Sequence, residues 1–116
     1  MQLHVTDATT GAVVVARGRI ASNPWTRLVG LMGRRELPAG DGLLITRCKS
    51  IHTSFMRFPI DVLFVGADDR VVDLVEAMPA WRARLARGKA HYVIELPAGT
   101  IARAGIAAGH QLVVKK

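Results

Sequence analysis

Residues Ile60–Met78 read IDVLFVGADDRVVDLVEAM. Two runs rich in β-branched and aromatic side chains flank a short turn of Gly, Ala and Asp, which is the signature of a β-hairpin. Alternation along the first run puts Ile60, Val62 and Phe64 on one face, leaving Asp61 to share the other with Leu63 and Val65. Pro79 closes the second run, because proline cannot donate to a ladder.

Outward from this hairpin the chain keeps reading as short strands. Met1–Val5 alternates, TDATTG supplies turn residues and AVVVARGRI is a β-branched run, so a second hairpin opens the chain. LLITRC, HYVIEL and the final HQLVVKK read as further strands. One stretch changes period: in SNPWTRLVGLMGR, Trp25, Leu28, Val29 and Met32 fall at i, i+3, i+4 and i+7. That spacing predicts an amphipathic helix over Pro24–Met32 burying those four residues, capped by Ser22 or Asn23 and stopped by Gly33. GTIARAG predicts a single helical turn capped by Thr100, and PAWRARLARGKA, without a clean period, predicts a loop with at most one helical turn. The fold class is therefore mainly β (α+β): a compact antiparallel barrel-like or sandwich domain with one amphipathic helix and short helical inserts.

A length of 116 residues suits one domain spanning 1–116. No apolar run approaches the roughly 20 residues of a membrane span, and the N-terminal stretch lacks the pattern of a secretory signal, so a cytoplasmic protein is expected. The single Cys48 has no internal disulfide partner, which fits a reducing compartment. Sixteen Lys and Arg stand against nine Asp and Glu, a formal charge of +7. A positive field of this size attracts nucleic acid, and WRARLARGK groups Arg82, Arg84, Arg87 and Lys89 around Trp81, where an exposed ring could stack on unpaired bases. A solvated surface is the plainer reading of such a run, so any nucleic-acid binding is expected to be weak and non-specific.

Several chemistries lack their residues. GLMGRR has no lysine and hydroxyl in the positions a phosphate loop needs. Cys48 and His52 lack further ligands at metal spacing, His91 and His110 stand alone, and Cys48 in an apolar strand reads as an inert core thiol. No catalytic set, metal or cofactor is predicted. Asp61 and Glu95 are more informative, because an acid on a partly apolar face is costly unless hydrogen-bonded or paired. Two readings stay open. In one, the acids pin strand ends through backbone amides or through Arg34, Arg35 or Arg57; in the other, Asp61, Glu95 and His52 surround one concave surface that binds a polar ligand or moves protons.

Arg27, Gly30-Leu31-Met32, Arg34, Leu37, Gly42-Leu43-Leu44, Pro59-Ile60-Asp61 with Phe64, Tyr92 through Gly99, Gly105-Ile106 and Gly109 occur in this order. Over roughly Arg27–Leu112 the chain resembles the domain-of-unknown-function 192 family (uncharacterized protein family 0127). The resemblance implies a small, single-domain, β-rich bacterial or archaeal protein, often secreted in relatives, with no established activity. The commoner family pattern has an aromatic-Met-Lys-Asn-Thr run before its Pro-Leu-Asp, where this chain has His52, Thr53, Ser54, Phe55 and Met56. The resemblance thus ties Asp61 to the shared fold or shared site rather than to His52.

The expected function is a non-enzymatic module that binds a small polar ligand or a partner protein. A hydrolase or lyase using Asp61, Glu95 and His52 is the alternative. Any site should lie where the Ile51 to Pro59 loop meets the GLM helix end and the ELPAG turn. Its candidate residues are Asp61, Glu95, His52, Thr53, Arg34, Met56 and Tyr92.

Overall fold

The computed structural model describes residues 2–116. In chain order its elements are β1 (Leu3–Asp7), β2 (Val13–Ala21), α1 (Pro24–Val29), β3 (Leu43–Ile45), β4 (Ser50–His52), β5 (Ile60–Val65), β6 (Val71–Met78), β7 (Ala83–Leu85), β8 (Tyr92–Pro97), α2 (Thr100–Ala104) and β9 (Leu112–Lys115). Seven strands form one sheet in the order β6-β5-β8-β3-β2-β1-β9, and β4 pairs with β7 in a separate ribbon. The β5–β6 hairpin is present as its sequence implies, with Leu63 opposite Leu74. Every pairing is antiparallel except that of β2 with β3, where Arg19 lies opposite Leu43.

The large sheet curls until its two edges meet at one end. Arg70 and Gln111, just ahead of β6 and β9, form an antiparallel bridge, reinforced by the Val71 amide on the His110 carbonyl at 3.0 Å. All seven strands contribute to the enclosed core, which includes Leu3, Val15, Leu44, Leu63, Val71, Ile94 and Leu112, with Ile101 of α2 packed among them. This is the mainly β, barrel-like architecture that the strand pattern predicts. A second core lies on the other face of the central strands, where Ile45, Met56, Val62, Phe64 and Val93 cluster with Leu31 and with Ile51 of the β4–β7 ribbon. Strands β5 and β8 are thus covered on both sides. That explains why their sequences are nearly continuous apolar runs.

Three local expectations are corrected. Helix α1 is a six-residue helix that buries none of its residues: Trp25 is 70% exposed and Leu28 59% exposed. The chain leaves the helix at Gly30, and Leu31, not Met32, enters the core. The stretch expected to be a loop contains β7, because Ser50–His52 supplies a partner ladder that no local period announces. Thr100 does not cap α2; its hydroxyl donates to the Pro97 carbonyl at 2.7 Å, and Gly99 occupies the cap position without a side chain to offer.

Candidate functional site

The cleft is built by α1 and the turn that follows it. Pro24 begins α1 without wasting an amide, and a reciprocal box holds the start. The Thr26 amide donates to Asn23 Oδ1 at 2.8 Å, and the Asn23 amide donates to the Thr26 hydroxyl at 3.3 Å. At Gly30 the backbone adopts φ 51° and ψ −122°, open to glycine and poorly accessible to L side chains. This turn lays the segment directly over β8. A Cβ at Gly30 would stand 3.3 Å from Glu95 Oε1. Between this segment, β4 and β8 lies a cleft of about 30 Å³, room for about two water-sized groups. Leu31, Ile45, Ile51 and Met56 supply apolar wall, while Arg27, Cys48, His52 and Glu95 supply polar atoms.

Among the described residues, three buried side-chain polar atoms lack a hydrogen-bond partner: Arg27 Nε, His52 Nδ1 and Glu95 Oε1. All three belong to side chains lining this one cleft. Leaving such a group unpaired costs about 1–3 kcal/mol, so most buried polar groups are satisfied. Arg27 is fixed by Nη2, which donates to the Arg47 carbonyl at 2.6 Å. Glu95 is 2% exposed, and burial alone pushes its carboxyl up to about 8. Burial thus favours the neutral carboxyl, which has one proton to donate. Cys48 donates to the Ser50 carbonyl at 2.8 Å, and no hydrogen bond joins it to His52 among the described residues.

The remaining predicted residues lie elsewhere or act structurally. Asp61 is fully buried on the opposite face of the sheet, since it pairs across from Leu96 while Glu95 pairs across from Val62. Its Oδ1 accepts the Ala77 amide at 2.8 Å, and its Oδ2 accepts the Gly99 and Ile101 amides at 3.1 and 2.8 Å. Asp61 therefore caps α2 from a neighbouring strand, held by backbone amides as one of the two sequence readings expects. Thr53, also fully buried, donates to the Pro79 carbonyl at 2.6 Å and accepts the Arg82 amide at 2.8 Å. Arg34 reaches Asp41 at 3.9 Å. Tyr92 donates to Asp69 Oδ1 at 2.8 Å beside a different pocket, with Arg47, His91 and Lys116; burial and then that hydrogen bond push its phenol far up.

The cleft thus unites Glu95, His52 and Met56 and leaves out Asp61, Thr53, Arg34 and Tyr92. Arg27 and Gly30 complete it, though sequence reading valued them only as motif positions. The signal available was local: a basic residue in the last turn of a capped helix, three residues before a glycine.

A curled, nearly closed β-sheet with a narrow polar cleft under a short helix defines the class of this molecule. The DUF192 family, described as an uncharacterized ACR, matches residues 5–114, and the chain belongs to that family. A UPF0127 protein of Pyrococcus furiosus is 34% identical over 114 residues, covering 91% of this chain and 93% of its own. Two crystal structures share the fold with TM-scores of 0.84. One is a protein of unknown function from Novosphingobium aromaticivorans, 26% identical over 97% of this chain and 84% of its own. The other, from Sinorhizobium meliloti and described as a candidate transcription regulator, is 27% identical over 97% of this chain and 92% of its own.

Proposed function

We propose that this chain is a non-enzymatic binding module whose cleft between α1, β4 and β8 takes the polar end of a small ligand. One observation carries the reading: the three unpartnered buried polar atoms all belong to side chains lining the same cleft. Convergent polar groups within apolar walls are the usual makeup of a small-molecule site. The three amide bonds of Asp61, and its place on the far face, weigh against a hydrolase or lyase that would use Asp61 with Glu95 and His52. The free thiol of Cys48 suits a reducing compartment. The test is a thermal-shift screen of small polar compounds, since a ligand that binds only the native state raises its melting temperature. Hits should disappear in Glu95→Ala and Arg27→Ala; hits that survive both would place binding outside the cleft.

A second reading rests on Phe55 and Trp81, which are 59% and 60% exposed and meet edge to face at 4.7 Å. Arg57 and Arg82, both exposed, flank these rings in sequence, and the similar Sinorhizobium meliloti structure carries a regulator's description. Together they support weak stacking on single-stranded nucleic acid. Anisotropy of a labelled oligonucleotide should then show binding that falls steeply with salt and weakens in Trp81→Ala. Salt-resistant binding unchanged in that variant would remove this reading.

A further inference from the structure

The cleft carries the fixed positive charge of Arg27, whose buried Nε has no partner. Its titratable groups are Arg27 from α1, Cys48 from the connection ahead of β4, His52 from β4 and Glu95 from β8. Arg27 Nε can only donate, a neutral carboxyl donates through its one proton, and His52 Nδ1 donates in one of its tautomers. A ligand cation would meet the like charge of the guanidinium. An acceptor with negative charge meets complementary groups throughout.

Size narrows the class. Room for about two water-sized groups matches the two oxygens of a carboxylate, while a tetrahedral phosphate has four oxygens and a larger hydration debt. Apolar surface continues outside the room that two oxygens fill: of the lining residues, Leu28 is exposed and Val29 and Met32 are half-buried. Resting on the reading of the cleft as a ligand site, we propose that it receives the carboxylate of a small monocarboxylic acid. Arg27 and the Glu95 carboxyl donate to the carboxylate oxygens, and the tail lies against the apolar wall. Binding then needs the protonated form of Glu95, which burial favours up to a pH of about 8.

The test is a backbone-amide NMR titration of the full chain with butyrate, butyramide, n-butylamine and inorganic phosphate in separate samples. Butyrate should shift Gly30, Leu31, His52 and Glu95 saturably, and its affinity should fall about tenfold per pH unit above about 8 as the proton is lost. Glu95→Gln, which keeps a donor, should retain binding and flatten that fall. Arg27→Gln should weaken binding by about tenfold or more. If butyramide, the amine or phosphate shifts these amides and butyrate does not, the carboxylate assignment is overturned while the cleft remains a ligand site. Phosphate binding as well as butyrate would also overturn it. If none of the four shifts them, the assignment fails; if the broader thermal-shift screen is empty too, the ligand site itself falls.

Discussion

Asp61 and Glu95 occupy adjacent strands, within one residue of facing each other across the ladder, and point to opposite sides of the sheet. The period of two along a strand makes that unavoidable: a one-residue offset in pairing is a change of face. Asp61 meets three backbone amides with both its oxygens engaged, whereas Glu95 lines the cleft with Oε1 unpaired. Two acids that look equivalent in sequence therefore stand differently, one bonded to three amides and the other buried beside the cleft with an oxygen unpaired.

Removing the first should be expensive. Asp61→Ala would strand the amides of Ala77, Gly99 and Ile101 and leave α2 without a cap, a loss of about 3 kcal/mol or more. Asp61→Asn should recover part of this, because its amide oxygen still accepts. Urea unfolding measures both; an Asp61→Ala midpoint equal to the parent's would mean that water replaces the carboxylate at no cost.

The strand framework and both acids were legible because alternation and β-branched runs register burial directly. The partners of Asp61 were not: Ala77, Gly99 and Ile101 lie 16, 38 and 40 residues away, and no local pattern encodes such a meeting. The helix shows the opposite failure. Trp25 and Leu28 have the spacing of a buried face, yet the backbone turns at Gly30 after six helical residues and leaves both exposed. Nothing in the sequence separates Arg27 from other surface arginines; its buried, unpaired Nε and its place in the cleft that Glu95 also lines do. The ribbon of β4 and β7 is likewise a tertiary product, since neither three-residue strand has an alternation long enough to read.

Thr53 holds that ribbon to the body of the protein. Its hydroxyl donates to Pro79 and accepts from Arg82, bridging the segment before β7. Thr53→Val keeps the shape and deletes both bonds, which should cost about 2 kcal/mol. Amide exchange should report the place as well as the size of the effect: Arg82 should exchange faster in the variant while the β5 amides keep their ranking. Uniform acceleration across the sheet would mean that Thr53 acts on global stability and not on the ribbon.

Gly30 and Gly33 form a natural pair of controls. Both have positive φ, but a Cβ at Gly33 meets nothing within 4 Å, whereas one at Gly30 comes to 3.3 Å of Glu95 Oε1. Gly33→Ala should cost only the backbone penalty, about 1 kcal/mol. Gly30→Ala should cost more, about 2–3 kcal/mol, because its backbone lies outside the left-handed helical basin and its methyl presses on the carboxyl. Equal losses in urea unfolding would show that the α1 turn is free to lift away from β8.

The pH dependence of Glu95 gives the sharpest expectation. Its carboxyl is raised from 4.5 to about 8 in the fold by burial. Between those values the unfolded chain gives up a proton that the folded chain retains, so this group makes stability fall as pH rises through that window. Below about 4.5 both states are protonated and the penalty vanishes; above about 8 both are ionised and it levels off. Glu95→Gln has no proton to retain, so its stability relative to the parent should be small in difference near pH 4 and grow to roughly 3 kcal/mol in its favour by pH 7. The other two shifted aspartates do not interfere. Burial raises Asp7 and Asp73, but hydrogen bonds outweigh it: His110 and the Thr9 amide for Asp7, and the Arg87 amide and Arg84 for Asp73. Both are held below 3.8, so their stabilisation is complete above that pH and is lost only as pH falls further. Urea midpoints of parent and variant at about pH 4, 5.5, 7 and 8 decide the matter. A difference that stays constant across the series would mean that Glu95 is already ionised in the folded protein, and with it the donor role assigned to its carboxyl would be lost.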